Sequence, residues 1–211
     1  MAPGKTITRL EAQKKSKNRV SVFLDGEFAF GLDLATLAKF NFKKGDVLDE
    51  DRISDILLSE ERNQVKESAI RYLAGRAHSE FELRTKLLRK DYSETTVSLV
   101  LAELKEAGFV DDVVFARTFA HNRMVSKPMG ERLLRQELWA KGVSEAVIRQ
   151  TVAETYSKFS EGQIALDLLR QRQPRYRDAP PQEQKKKLYD FLLRRGFDWQ
   201  TVEAALNEVQ E

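Results

Sequence analysis

The sequence predicts a mainly α-helical protein: tandem three-helix repeats in an elongated, curved arrangement, with a small N-terminal α+β module built on a β-hairpin. Three observations predict this. Two β-favouring arms flank Asp25-Gly26 in RVSVFLDGEFAFGL, and Asp-Gly readily takes the left-handed angles of a type I′ turn. Beyond Asp49, apolar residues recur at helical spacing, first Ile53, Ile56 and Leu57, then Val65, Ala69, Ile70, Leu73 and Ala77. Finally, one short pattern is written three times: LLRKDYSETTV from Leu87, LWAKGVSEAVI from Leu138 and LLRRGFDWQTV from Leu192.

Each element follows from its residues. A two-residue hairpin loop sets Phe23 opposite Phe28 and Ser21 opposite Phe30, giving an aromatic face that needs a cover. KTITRLEAQ supplies a third strand, DLATLAKF a short amphipathic helix with Asp33 as its cap, and KKGDVL a turn at Gly45. Ser79-x-x-Glu82 and Ser160-x-x-Gln163 have the form of capping boxes, in which side chains satisfy the free backbone donors of a helix start. Asp111-Asp112 places acids at the positive end of the next helix, which accounts for the pair better than a metal site does. Pro128 with Gly130, and the stretch QPRYRDAPP from Gln173, break the chain between helices.

The threefold pattern has a physical grammar. Aligned on Leu87, Leu138 and Leu192, a basic residue (Lys90, Lys141, Arg195) precedes a stop (Asp91, Gly142, Gly196). An apolar plug follows (Tyr92, Val143, Phe197), then a cap (Ser93, Ser144, Asp198) and two apolar positions of a new helix (Val97, Ile148, Val202; Leu101, Val152, Leu206). A cation suits the negative end of a helix, Gly is the preferred left-handed stop, and Ser or Asp caps the helix that follows. Each pair is preceded by another amphipathic segment: VKESAIRYLAGR, DVVFARTFAHNR or GQIALDLLRQR. The unit is therefore three helices used three times. The expected divisions are an N-terminal module over 1–48, a first repeat with a lead-in helix over 49–108, a second repeat over 109–158 and a third over 159–211.

Composition narrows the function classes. Hydrophobic residues make up 41% of the 211, enough for a core, and charged residues 33%, above the usual quarter. The chain has no cysteine, which excludes disulfides, thiolate catalysis and cysteine zinc sites and fits a reducing compartment. No apolar run approaches the ~20 residues of a membrane span, and MAPGKTITRL lacks the apolar core of a signal peptide. A soluble, cytoplasmic, monomeric protein without membrane contact is expected. There is no P-loop or dinucleotide fingerprint, and His78 and His121 stand alone, without metal-ligand spacing. No catalytic residue, cofactor or metal is expected. Trp139 and Trp199, within or beside the repeats, are expected to pack in the core rather than stack on bases.

The net charge is only +3, but it is unevenly distributed. Residues 1–20 carry Lys5, Arg9, Lys14, Lys15, Lys17 and Arg19 against Glu11; residues 46–61 carry seven acids against Arg52. Residues 170–195 carry nine basic residues against Asp178, Glu183 and Asp190. Basic patches attract polyanions through counterion release. The contact candidates are Arg76, Arg84, Lys86 and Arg89 in the first repeat and Arg123, Lys127, Arg132 and Arg135 in the second. In the third they are Arg172, Arg175, Arg177, Lys185, Lys186 and Arg194. Only a minority of these are expected to touch a partner. Lys90, Lys141 and Arg195 also have a structural role at helix ends.

Three stretches carry a resemblance to a known family: AIRYLAGRAHSEFELRTKLLRKDYS, GFVDDVVFARTFAHNRM and GERLLRQELWAKGVSEAVI. The most specific residues are Phe109, Asp111, Asp112, Phe115 and Ala116, followed by Arg123, Gly130, Leu138, Lys141 and Gly142. The chain resembles the RecX family of RecA regulators over nearly its whole length, and RVSVFLDGEFAFGLD resembles the extension of its longer members. Asp91 departs from the Gly the family usually has at the first stop. The resemblance implies a protein of DNA repair and homologous recombination, tied to the SOS response. It implies binding along the groove of the RecA–DNA filament, suppression of recombinase ATP turnover and strand exchange, and a limit on filament growth. It leaves room for weak direct binding to single- or double-stranded DNA. The alternative, resting on the basic N-terminus and third repeat, is a general nucleic-acid-binding helical repeat with no specific protein partner.

Overall fold

The computed structural model describes residues 4–14, 16 and 18–210. Lys15 and Lys17 of the basic N-terminus lie outside the described residues. The chain divides into two compact units, one formed by residues 1–76 and 83–107, the other by residues 77–82 and 108–211.

The first unit opens with strands β1 (Lys5–Ala12), β2 (Arg19–Leu24) and β3 (Glu27–Asp33), helix α1 (Leu34–Phe40) and the short strand β4 (Val47–Leu48). The sheet is antiparallel, ordered β3-β2-β1-β4. The turn behaves as Asp-Gly dictates, with positive φ at both Asp25 (51°) and Gly26 (92°). The register differs from expectation beyond it. Phe23 does pair with Phe28, but Ser21 faces Gly31 and Val22 faces Phe30, because the ladder shifts by one residue between Val22 and Phe23. The extra residue on β3 is a bulge, which turn chemistry does not announce. The aromatic face is also not the covered one. Phe28 is 60% exposed, its ring meets Phe23 edge-on at 5.9 Å, and the guanidinium of Arg9 lies over Phe23 at 3.8 Å. The core forms instead from Ile7, Val22, Leu24 and Leu32 with Phe42, Leu48 and Ile56.

Asp33 caps α1 by accepting from the Ala35 amide. The lead-in pattern and the first repeat's opening helix form one continuous α2 (Glu50–Gly75). Its Glu60, 4% exposed, accepts from the Asp33 amide and the Thr36 hydroxyl and pairs with Arg19 at 3.0 Å. Next come α3 (Glu80–Leu88) and α4 (Glu94–Glu106). Glu61 accepts from the Ser93 amide and from the hydroxyls of Ser93 and Thr96. Burial opposes the ionised form of Glu61, but these bonds prevail and hold its carboxyl below the usual range.

The second unit contains α5 (Asp112–Ser126), α6 (Glu131–Ala140) and α7 (Glu145–Tyr156), then α8 (Glu161–Arg172), a 3₁₀ turn (Gln173–Tyr176), α9 (Pro181–Arg194) and α10 (Trp199–Gln210). The first and third helices of each repeat pack together: α2 on α4, α5 on α7, α8 on α10. Three further expectations hold: Asp111 caps α5, and Ser79 and Ser160 accept from the amides of Glu82 and Gln163. The aligned positions Val97, Ile148, Val202, Leu101, Val152 and Leu206 are all buried.

One joint occurs twice in the second unit. The Ser79 hydroxyl donates to the Lys141 carbonyl at 2.6 Å, and the Gly130 amide to the Arg195 carbonyl at 2.9 Å. The next amide, of Glu80 or Glu131, donates to the carboxylate that opens the following helix pair, Asp112 or Glu161. The repeated cation completes it: Lys141 reaches Glu82 at 2.7 Å, and Arg195 reaches the Pro128 carbonyl at 3.0 Å.

Candidate cationic interface

A cation that its own protein has already paired with an anion is less available to a partner's. The fourteen candidates divide on that criterion. In the first unit, Arg84 of α3 bonds Glu94 and Ser98, Lys86 lies over the Tyr72 ring at 4.8 Å, and Arg76 ends α2 in an exposed position. Arg89 is exposed just past α3.

In the second repeat every candidate arginine ends on a protein acceptor. Arg123 pairs with Glu137 at 2.7 Å and lies over Phe119. Arg132 donates to the Leu193 carbonyl at the end of α9, and Arg135 bonds Glu131. Lys127 caps α5 and is exposed. Arg132 and Arg135 line a recess of about 330 Å³ together with Glu131, Glu161 and Asp198. Three carboxylates against two guanidiniums do not make an anion site. Burial, with Asp198 and Glu131 nearby, pushes the Glu161 carboxyl above its usual range.

The third repeat is different. Arg172, at the end of α8, bonds the Tyr176 hydroxyl at 3.2 Å and lies against the Tyr176 and Phe191 rings. Arg177 is weakly paired with Asp178 at 3.8 Å. Arg175, Lys185, Lys186 and Arg194 are exposed, and none forms an ion pair among the described residues.

The tryptophans contradict their expected place in the core. Trp139 is 73% exposed and Trp199 57%. The repeat alignment carried the signal for Trp199, which stands where the other repeats have Glu94 and Glu145, but not for Trp139, which stands where they have Leu88 and Leu193. Both are first-turn or off-stripe positions that face water. His78 is buried just ahead of α3, and His121 is exposed on α5 with its ring 6.4 Å from that of Phe159. In the first unit, an open groove of about 590 Å³ between α2 and α4 exposes Leu58 and Leu99 and contains none of the fourteen cations.

The internal order of sheet module and three repeats matches four family models in sequence. Residues 5–49 match the regulatory protein RecX N-terminal domain, and 66–104, 111–152 and 161–206 match the first, second and third RecX three-helix domains. The chain belongs to the RecX family. Curated RecX relatives agree across its length. Regulatory protein RecX of Bacillus cytotoxicus is 29% identical over 209 residues, covering 97% of this chain and 77% of the relative. Regulatory protein RecX of Clostridium acetobutylicum is 29% identical over 208 residues, covering 97% and 96%. A crystal structure of regulatory protein RecX superposes with a TM-score of 0.71 at 26% identity, covering 96% of this chain and 99% of that one. RecX from Lactobacillus salivarius shares the fold, with a TM-score of 0.65 at 18% identity over 72% of this chain and 98% of its own. Among the described residues, no helix is long and apolar enough to cross a membrane.

Proposed function

We propose that this chain is a non-enzymatic cytoplasmic regulator that binds the filament of a RecA-type recombinase on DNA, slows its ATP turnover and strand exchange, and limits its growth. The observation that carries this reading is the ordered match of all four RecX domains along one chain. A serial array of similar units suits a partner that is itself a repeating polymer. Each repeat makes a weak contact, and linkage of the contacts raises the affinity of the whole. In this mechanism the repeats dock across neighbouring recombinase protomers, occupy the groove that the second DNA must enter, and oppose the remodelling coupled to ATP turnover.

The test is the ATPase rate of RecA on single-stranded DNA, titrated with this protein. Inhibition at well below one chain per recombinase protomer is expected. An unchanged ATPase, filament length and strand exchange at saturating amounts would overturn the reading.

The exposed cations of the third repeat that form no ion pair among the described residues, Arg175, Lys185, Lys186 and Arg194, favour a second reading, a general nucleic-acid-binding repeat without a protein partner. The two separate when affinity is compared for RecA-coated and bare DNA at matched salt. Equal or weaker binding to the coated form would select the second.

A further inference from the structure

Three cations and two rings form a ladder in the third repeat. Arg195 lies over Phe191 at 5.4 Å, Phe191 contacts Arg172 at 5.1 Å, Arg172 lies over Tyr176 at 5.6 Å, and Tyr176 meets Lys187 at 5.6 Å. Two of the three cations are engaged elsewhere. Arg195 bonds the Pro128 carbonyl, and Lys187 pairs with Glu183 at 2.7 Å. Arg172 is the exception. Its Nε donates to the Tyr176 hydroxyl, which sets the plane of the guanidinium, and no carboxylate pairs with it among the described residues. A guanidinium carries five N–H donors, so the two terminal amino groups remain as an oriented fork.

A half-buried charge without a counterion is unfavourable, and a bidentate oxyanion is the group that compensates it best. The surroundings indicate which oxyanion. Arg175 stands on the adjoining 3₁₀ turn, and Lys185 and Lys186 on the first half of α9, all exposed and without ion pairs among the described residues. Several open cations on adjoining elements suit a chain with one negative charge per nucleotide better than a single carboxylate. Cations already lie over both half-buried rings, which favours contact with the backbone over base stacking here. Recognition would be of the backbone and independent of sequence.

We propose that the third repeat carries a nucleic-acid phosphodiester site, with Arg172 as the oriented fork and Arg175, Lys185 and Lys186 as neighbouring contacts. It rests on the filament reading only in taking the bound strand to be the filament's DNA. In the second repeat Arg123 and Arg135 already face carboxylates and Arg132 lines a recess with three of them, so these arginines do not share the role.

The experiment uses the full chain and a fluorescein-labelled oligothymidylate, with anisotropy recorded across a potassium chloride series. Loss of one phosphate contact on a single strand reduces the slope of log K against log salt by about 0.7. Lys185→Gln with Lys186→Gln, both exposed and harmless to folding, is expected to reduce it by about 1.4. Arg172→Gln is expected to reduce the slope by about 0.7 and the affinity about tenfold. Arg172→Lys keeps the slope but not the affinity, since the charge survives and the fork does not. Arg117→Gln, which breaks an exposed pair with Glu154 in the second repeat, is expected to change neither. The proposal is overturned if the native chain fails to bind the oligonucleotide, if slopes are unaltered in the third-repeat variants, or if Arg117→Gln matches them. Displacement of the oligonucleotide by polyglutamate at equal charge would overturn it in favour of an acidic protein. The ATPase titration is read separately. Normal RecA inhibition with unaltered slopes defeats this site alone, while absent inhibition with reduced slopes defeats the filament reading alone.

Discussion

In the turn after the second helix of each repeat, the left-handed residue is Asp91, Gly142 or Gly196, with φ of 60°, 74° and 87°. The first needs only a tolerated φ, and its side chain is exposed. The other two also admit a neighbour. A Cβ on Gly142 would lie 2.3 Å from the Phe81 Cβ, and one on Gly196 2.3 Å from the Leu133 Cβ. Gly142→Ala therefore combines backbone strain with overpacking and should cost about 2–4 kcal/mol. Asp91→Gly relieves only the strain and should gain about 0.5–1 kcal/mol. Urea denaturation of the two variants checks both signs. Glu161 gives a second residue-scale prediction. Its folded-state pKa is raised, so stability from this group is fully present below the unfolded value of 4.5 and is lost as pH rises through the folded value. Glu161→Gln keeps an acceptor for the Glu131 amide and removes the charge. It should raise the melting temperature at pH 7, with the difference fading as pH falls toward 4.5.

Among the elements, the sheet module and α2 are joined by one carboxylate. Glu60 holds Arg19, the Asp33 amide and the Thr36 hydroxyl in a site almost closed to water. Glu60→Ala takes the carboxylate from a half-buried guanidinium that keeps its bond to the Gly31 carbonyl, and leaves two donors without their acceptor, which costs about 2–3 kcal/mol. Faster amide exchange in β2, β3 and α1, with α8 to α10 unaffected, is the expected signature. Helix ends were the most legible part of the chain because they are local: Ser79, Asp111 and Ser160 cap helices whose free amides lie within three residues. What depended on distant partners was hidden. Nothing near Arg123 indicates that it meets Glu137, and nothing near Ala29 indicates a bulge in β3. Trp139 and Trp199 lie outside the core although they fall within or beside the repeats; the aligned Glu94 and Glu145 point Trp199 to solvent, whereas the aligned Leu88 and Leu193 give no such signal for Trp139. At the candidate interface, sequence located the cations but not their partners, and the partners decide which cations remain open.

For the whole molecule, the proposed docking of a serial array would make potency depend on the number of contacts made at once, and substoichiometric inhibition in the RecA titration is the outcome expected of action at ends or sparse sites. A regulator acting at ends or sparse sites should also lose potency steeply with salt if third-repeat cations contribute. The twice-used joint, in which Ser79 or Gly130 seats on the turn at Lys141 or Arg195 and an amide seats on Asp112 or Glu161, bears on how such a chain can change length. The two joints present matching acceptors, a turn carbonyl and a helix-opening carboxylate, while the first donor is a hydroxyl at Ser79 and an amide at Gly130. A further copy of the second repeat, spliced in beside the original, would find a ready seat at both of its ends. Reach in this architecture can therefore grow by duplication of a gene segment, in steps of about fifty residues, without new surfaces having to arise by point mutation.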